Sequence, residues 1–159
     1  MRTIYKEFKE RQQKETNNLP IYFAFGNEQL QERANELGFE SIDDMINNVV
    51  GIGAGGFCKK EDYQNIINTF KKHNEELKEN LKNDEFLKSA FRYEMSNHEY
   101  IVTYDIYDTL RALEITLEEY QKSERMKKLF EEAKEDYLKA MNEWMRVLIW
   151  KNIKIVLQY

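Results

Sequence analysis

A chain of 159 residues, 42% hydrophobic and 33% charged, is long enough to bury a core and too short for two large domains. Asp and Glu number 29 against 24 Lys and Arg, and the net charge of −5 excludes the electropositive footprint of a duplex- or RNA-binding protein. Cys58 is the only cysteine, so no intramolecular disulfide can form and the chain reads as cytoplasmic.

In chain order, the apolar spacing of Ile4, Tyr5 and Phe8 predicts an amphipathic helix over residues 3–16, stopped by Asn17, Asn18 and Pro20. Ile21-Tyr22-Phe23-Ala24-Phe25, bounded by Pro20 and Gly26, reads as a strand. Asn27 opens a helix that runs to Leu37 and stops at Gly38. Ser41, with Asp44 three residues on, caps one or two further turns. Val49, Val50 and Ile52 form a second strand that leads into a tight glycine turn through Gly53, Gly55, Gly56 and Phe57. That stretch is far shorter than the roughly 18 apolar residues needed to span a bilayer, so no membrane partner is expected. Tyr63, Ile66, Ile67, Phe70, His73, Leu77 and Leu81 step by three and four along a helix from Glu61. Asn83 recaps the chain for a second helix to about Asn97.

Tyr100-Ile101-Val102-Thr103-Tyr104 has the composition of a third strand, after which Asp105 caps a short helix from Ile106 to Leu113. Thr116 and Glu119 form a capping box, and from Ser123 the residues Met126, Phe130, Ala133, Tyr137, Met141 and Trp144 define the longest helix. Residues 153–157 are β-branched, and periodicity leaves open a fourth strand or the end of that helix. The expectation is one α+β domain over residues 1–159. A small, mostly antiparallel sheet of three to four strands is covered by several amphipathic helices, with a long C-terminal helix and a hydrophobic extension at about 144–159.

Three features invite a chemical reading. Gly51-Ile52-Gly53-Ala54-Gly55-Gly56 satisfies G-x-G-x-x-G after a strand, but residues 75 and 76, where a dinucleotide fold would place its acidic strand end, fall mid-helix, and no Gly-Lys-Ser/Thr follows. A tight turn or bulge accounts for the glycines as well. Asn97, His98, Glu99, Tyr104 and Asp105 gather acid–base and ligand chemistry along one short segment. Strand alternation would nevertheless send Glu99, Ile101 and Thr103 to one face and His98, Tyr100, Val102 and Tyr104 to the other. No second histidine lies at helical spacing, and nothing marks Cys58 as an activated thiol, so neither a metal nor a cofactor nor a catalytic residue is assigned. Finally, residues 94–120 carry Glu94, Glu99, Asp105, Asp108, Glu114, Glu118 and Glu119 against Arg111 alone, a local balance of −6 while the remainder sums to +1. Such a surface attracts basic partners and can stand in for nucleic-acid phosphates, although a solvated acidic face has the same composition.

The motifs Ile21-Tyr22-Phe23-Ala24-Phe25-Gly26-Asn27-Glu28-Gln29, Gly51 to Phe57 and Asn97 to Asp105, in that order, resemble a family of short, uncharacterised bacterial proteins carried on phages and on conjugative or integrative elements. The likeness spans residues 3–138. The resemblance implies a small mobile-element protein, a class that includes inhibitors of host defence similar to anti-CRISPR proteins. The function expected is non-enzymatic binding of a host or element-encoded protein with a basic surface, such as a Cas nuclease, through Glu99, Asp105, Asp108, Glu114, Glu118 and Glu119, with no direct contact to nucleic acid. One alternative is a small ligand- or metal-binding domain or enzyme using the glycine loop with His98, Glu99 and Asp105. Another is an accessory protein of element transfer that forms a homo-oligomer through Val147-Leu148-Ile149-Trp150 and residues 153–157.

Overall fold

The computed structural model describes the backbone of residues 3–156 and the side chains of residues 3–146. The chain folds as two compact units, one of residues 11–76 and one of residues 1–10 with 77–159. The boundaries fall inside helices α1 (Ile4–Asn17) and α4 (Tyr63–Asn80). The architecture is α+β, with one three-stranded antiparallel sheet and a long C-terminal helix.

In the unit of residues 11–76, β1 (Tyr22–Phe23), β2 (Val49–Gly53) and β3 (Gly56–Lys59) pair antiparallel in the order β1-β3-β2. β1 is shorter than the aromatic run suggests because the flanking N–H groups bond elsewhere: Ile21 donates to the Leu19 carbonyl and Phe25 to the Gln29 side chain. Helices α2 (Asn27–Glu36) and α3 (Ile42–Asn48) cover the sheet, Ala34 and Met45 packing with Phe57 in a small core. Ser41 caps α3 by accepting from the Asp44 N–H at 3.1 Å, as its spacing predicts.

The glycine segment is a β-hairpin, so it opens onto a strand rather than a helix. Gly53 pairs with Gly56, leaving Ala54 and Gly55 as a two-residue turn with φ of 49° and 76°. Positive φ at both positions is what a type I′ turn requires, and it matches the right-handed twist of the strands. The Phe25 ring lies over Gly55 so closely that a Cβ there would sit 2.6 Å from its Cε1. The first two family motifs therefore meet in space, although the phenyl ring remains 74% exposed.

The other unit is helical throughout. The start of α1, α5 (Asp84–Asn97), α6 (Tyr100–Thr103), α7 (Tyr107–Ala112), α8 (Leu117–Lys122) and α9 (Glu124–Val156) enclose a core built on Tyr5, Phe86, Phe91, Met95, Leu113 and Phe130. Edge-to-face ring pairs give it shape: Phe91–Phe130 at 5.2 Å and Tyr5–Phe86 at 5.5 Å between centroids. Asn83 caps α5, accepting from the Phe86 N–H at 2.9 Å. Thr116 and Glu119 make the complete capping box of α8.

Residues 100–104 overturn the third predicted strand. The β-branched run is the single turn α6, because Tyr100 turns into the helical core against Phe130 and Tyr137 and left-handed residues close the turn at both ends. At the C-terminus, helix α9 continues through Val156, so residues 153–156 end a helix and form no fourth strand. Leu157 and the side chains from Val147 onward, on which self-association through the tail would depend, lie outside the described residues.

The hairpin makes a paired prediction. Gly55→Ala forces a Cβ into a positive-φ position under the Phe25 ring and should cost about 1–2 kcal/mol. Ala54→Asn supplies the residue this turn favours and should raise the melting temperature. Thermal unfolding of both variants checks the sign of each.

Candidate functional site

The acidic segment 94–120 divides once its side chains are placed. Glu94 faces inward, with 1% of its surface exposed. The Tyr5 hydroxyl donates to its Oε1 at 2.6 Å and the Asn97 amide to its Oε2 at 3.2 Å. Lys9 Nζ stands 3.7 Å from Oε1 and His98 Nε2 3.5 Å from Oε2. Burial, reinforced by the bond to Glu94, pushes the Tyr5 phenol well above its ordinary range. Asn97 and His98 of the third motif thus hold a structural carboxylate, which is not accessible to a partner.

Three of the remaining carboxylates are paired with cations, two of which, Lys78 and Lys122, lie outside the segment. Asp108 pairs with Arg111 at 2.8 Å, Glu114 with Lys78 at 3.8 Å, and Glu118 with Lys122. Glu119 accepts from both the N–H and the hydroxyl of Thr116, and these bonds hold its carboxyl below the usual carboxylate range. Glu99 and Asp105 are exposed and make no ion pair among the described residues. They are the uncompensated negative charges of the segment's central stretch.

Glu99 and Tyr104 both adopt left-handed backbone, each at φ 51°, and so bracket α6. Non-glycine residues rarely adopt this conformation, which needs support from its surroundings. Here α6 is anchored by buried Tyr100 and projects Val102 (71% exposed) and Tyr104 (67%), followed by Tyr107 (57%) at the start of α7. Asp105 stands between the two tyrosines, its Oδ1 accepting from the Tyr107 N–H at 2.8 Å. Residues 99–107 therefore form an exposed apolar and aromatic surface with two carboxylates that make no ion pair among the described residues. The strand reading missed it, because alternation would bury Val102 and Tyr104 with Tyr100. The clustering of three tyrosines between Glu99 and Asp108 is the signal that was present in the sequence.

The groups of the alternative ligand site belong to different units: Gly53, Gly55 and Gly56 to residues 11–76, and His98, Glu99 and Asp105 to the other. Phe57, the last residue of the glycine motif, is buried in the core of its unit. Cys58 is also buried, which pushes its thiol pKa up, the direction opposite to an activated nucleophile. His73 is a hydrogen-bonded core histidine. Its Nε2 lies 2.9 Å from Glu15 Oε2, and this bond, with Arg11 and Lys72 nearby, lowers the Glu15 carboxyl to about 2. No group of three or more His, Cys, Asp or Glu among the described residues is arranged to hold a metal ion. No helix among the described residues is long and apolar enough to cross a membrane.

Residues 4–136 match a family of unknown function, DUF7659, and the chain belongs to that family. No curated protein and no solved structure matches it.

The Glu94 cluster makes its own prediction. Tyr5→Phe removes one donor from a buried carboxylate and should destabilise the protein by about 1–3 kcal/mol, more than the net value of an ordinary hydrogen bond. In Glu94→Gln a neutral acceptor remains for Tyr5, so this variant should lose less than Glu94→Leu, which leaves both Tyr5 and Asn97 without their partner. Chemical denaturation of the three variants checks that order.

Proposed function

We propose that the chain is a non-enzymatic binding protein that engages a partner with a basic surface through Glu99, Val102, Tyr104, Asp105 and Tyr107. The observation that carries this reading is the exposure of Val102, Tyr104 and Tyr107 next to two carboxylates without ion-pair partners. Interface centres are enriched in tyrosine, and uncompensated charge at their margins steers association with partners of opposite sign. Asp108, Glu114, Glu118 and Glu119 extend the acidic margin, already partly neutralised by Arg111, Lys78 and Lys122.

The motif resemblance supports the biological context: a protein of a mobile genetic element, acting in the cytoplasm to inhibit host defence. In that setting the partner is a nucleic-acid-processing enzyme, a Cas nuclease being the leading candidate. The acidic surface would occupy a groove that otherwise takes phosphates, and a chain of net charge −5 suits that role better than binding nucleic acid itself.

The test is capture of partners from a host lysate with the wild-type chain and with Glu99→Lys/Tyr104→Ser/Asp105→Lys as paired baits, each at low and high salt. The expected result is a basic nucleic-acid enzyme held by the wild-type chain at low salt, released at high salt, and bound at least about tenfold more weakly by the triple variant. Equal retention by both baits, or no salt-sensitive partner, contradicts the proposal.

A further inference from the structure

The exposed surface continues into an apolar cleft of about 440 Å³ on the same unit. Tyr107, Leu110, Ile115 and Leu117 supply its apolar walls, and Asp108 and Glu114 stand at it with Arg111 and Thr116. Leu110 and Ile115 belong to the hydrophobic core, so the floor of the cleft is the outer face of rigid packing. Two more carboxylates reach its border through contacts already described: Asp105 through the Tyr107 N–H, and Glu119 through Thr116. Against these four acids stand Arg111, which bonds Asp108, and Lys78, which pairs with Glu114.

We infer that this cleft seats one large apolar side chain from a basic segment of the partner, while flanking Lys or Arg residues meet the bordering carboxylates. This rests on the partner-binding reading above and names the part of the partner that is recognised. Charge complementarity selects the occupant. An acidic or phosphate-bearing ligand would face carboxylates on several sides, and an uncharged apolar ligand would leave Asp105 and Glu119, which make no ion pair among the described residues, unused. A basic segment with a single anchor uses both the apolar walls and the charged border, in the manner of peptides read by a groove with specific pockets. The exposed rings of Tyr104 and Tyr107 add faces on which an Arg guanidinium can stack.

The test is selection of short random peptides displayed on phage against the full-length chain, followed by affinity measurement with the synthetic consensus peptide. The expected consensus combines several Lys or Arg residues with one Trp, Phe or Leu. Its affinity should fall about tenfold or more when that apolar residue becomes Ala, and by a similar factor on Tyr107→Ser or Leu117→Ala. Tyr107 is largely exposed, so Tyr107→Ser carries the test even where Leu117→Ala unfolds, which thermal melting would reveal. A consensus without basic residues, or no enrichment at all, overturns the inference. Peptides weakened by Glu99→Lys/Asp105→Lys but indifferent to both cleft variants would overturn it and leave a partner-binding surface of Glu99, Val102, Tyr104 and Asp105 standing. Indifference to every variant would remove both. Selection of a segment identical to part of this chain, with a dimer seen by mass measurement, would assign the cleft to a second copy instead.

Discussion

A carboxylate buried to 1% exposure is the constraint on which one unit is organised. Removing an ionised group from water is costly unless hydrogen bonds and opposite charges replace hydration. Glu94 receives both from separated parts of the chain: Tyr5 and Lys9 from α1, and Asn97 and His98 from the end of α5. The arrangement fixes the start of α1 against α5 and at the same time sets where α5 stops. The chain leaves that junction through left-handed Glu99, so the direction in which α6 projects depends on a network that is itself buried.

The surface proposed for binding owes its shape to this anchoring. Two non-glycine residues in left-handed conformation, four residues of helix between them and three exposed apolar side chains would be costly in an isolated segment. They persist because Tyr100 packs into the aromatic core beside Phe130 and Tyr137, and because Asp105 accepts from the N–H of Tyr107, the first residue of α7. An interface held in this way loses little conformational entropy when a partner arrives, which favours binding without a further ordering step. The acidic charge around it is narrower than the linear count suggests, since Glu94 is internal and Lys78 and Lys122, from outside the segment, pair with Glu114 and Glu118.

Much of the helical architecture was legible in the sequence because its signals are local. The caps at Ser41, Asn83 and Thr116 and the three-and-four spacing of α1, α4, α5 and α9 act within one or two turns. The glycine segment was readable as a tight turn, but its continuation into β3 was not, since Gly56-Phe57-Cys58-Lys59 becomes a strand only by pairing between β1 and β2. Residues 100–104 failed for the complementary reason. Their β propensity is real, but all three strands described lie in residues 11–76, so the segment is governed by how Tyr100 packs. Of the candidate site, the acids were legible as a run of charge. The pairing of Glu114 with Lys78, the inward turn of Glu94 and the exposure of Val102, Tyr104 and Tyr107 were not, because each depends on residues distant in sequence or on the replacement of a period of two by a helical turn.

The central claim is that residues 99–117 form the surface that meets a partner. Amide hydrogen exchange, followed along the whole chain alone and in complex with the protein it captures, tests it most directly. The account predicts slowed exchange concentrated between Glu99 and Leu117 on complex formation, with the hairpin of residues 49–59 unchanged. Protection confined to residues 11–76, with 99–117 exchanging as in the free chain, would contradict it.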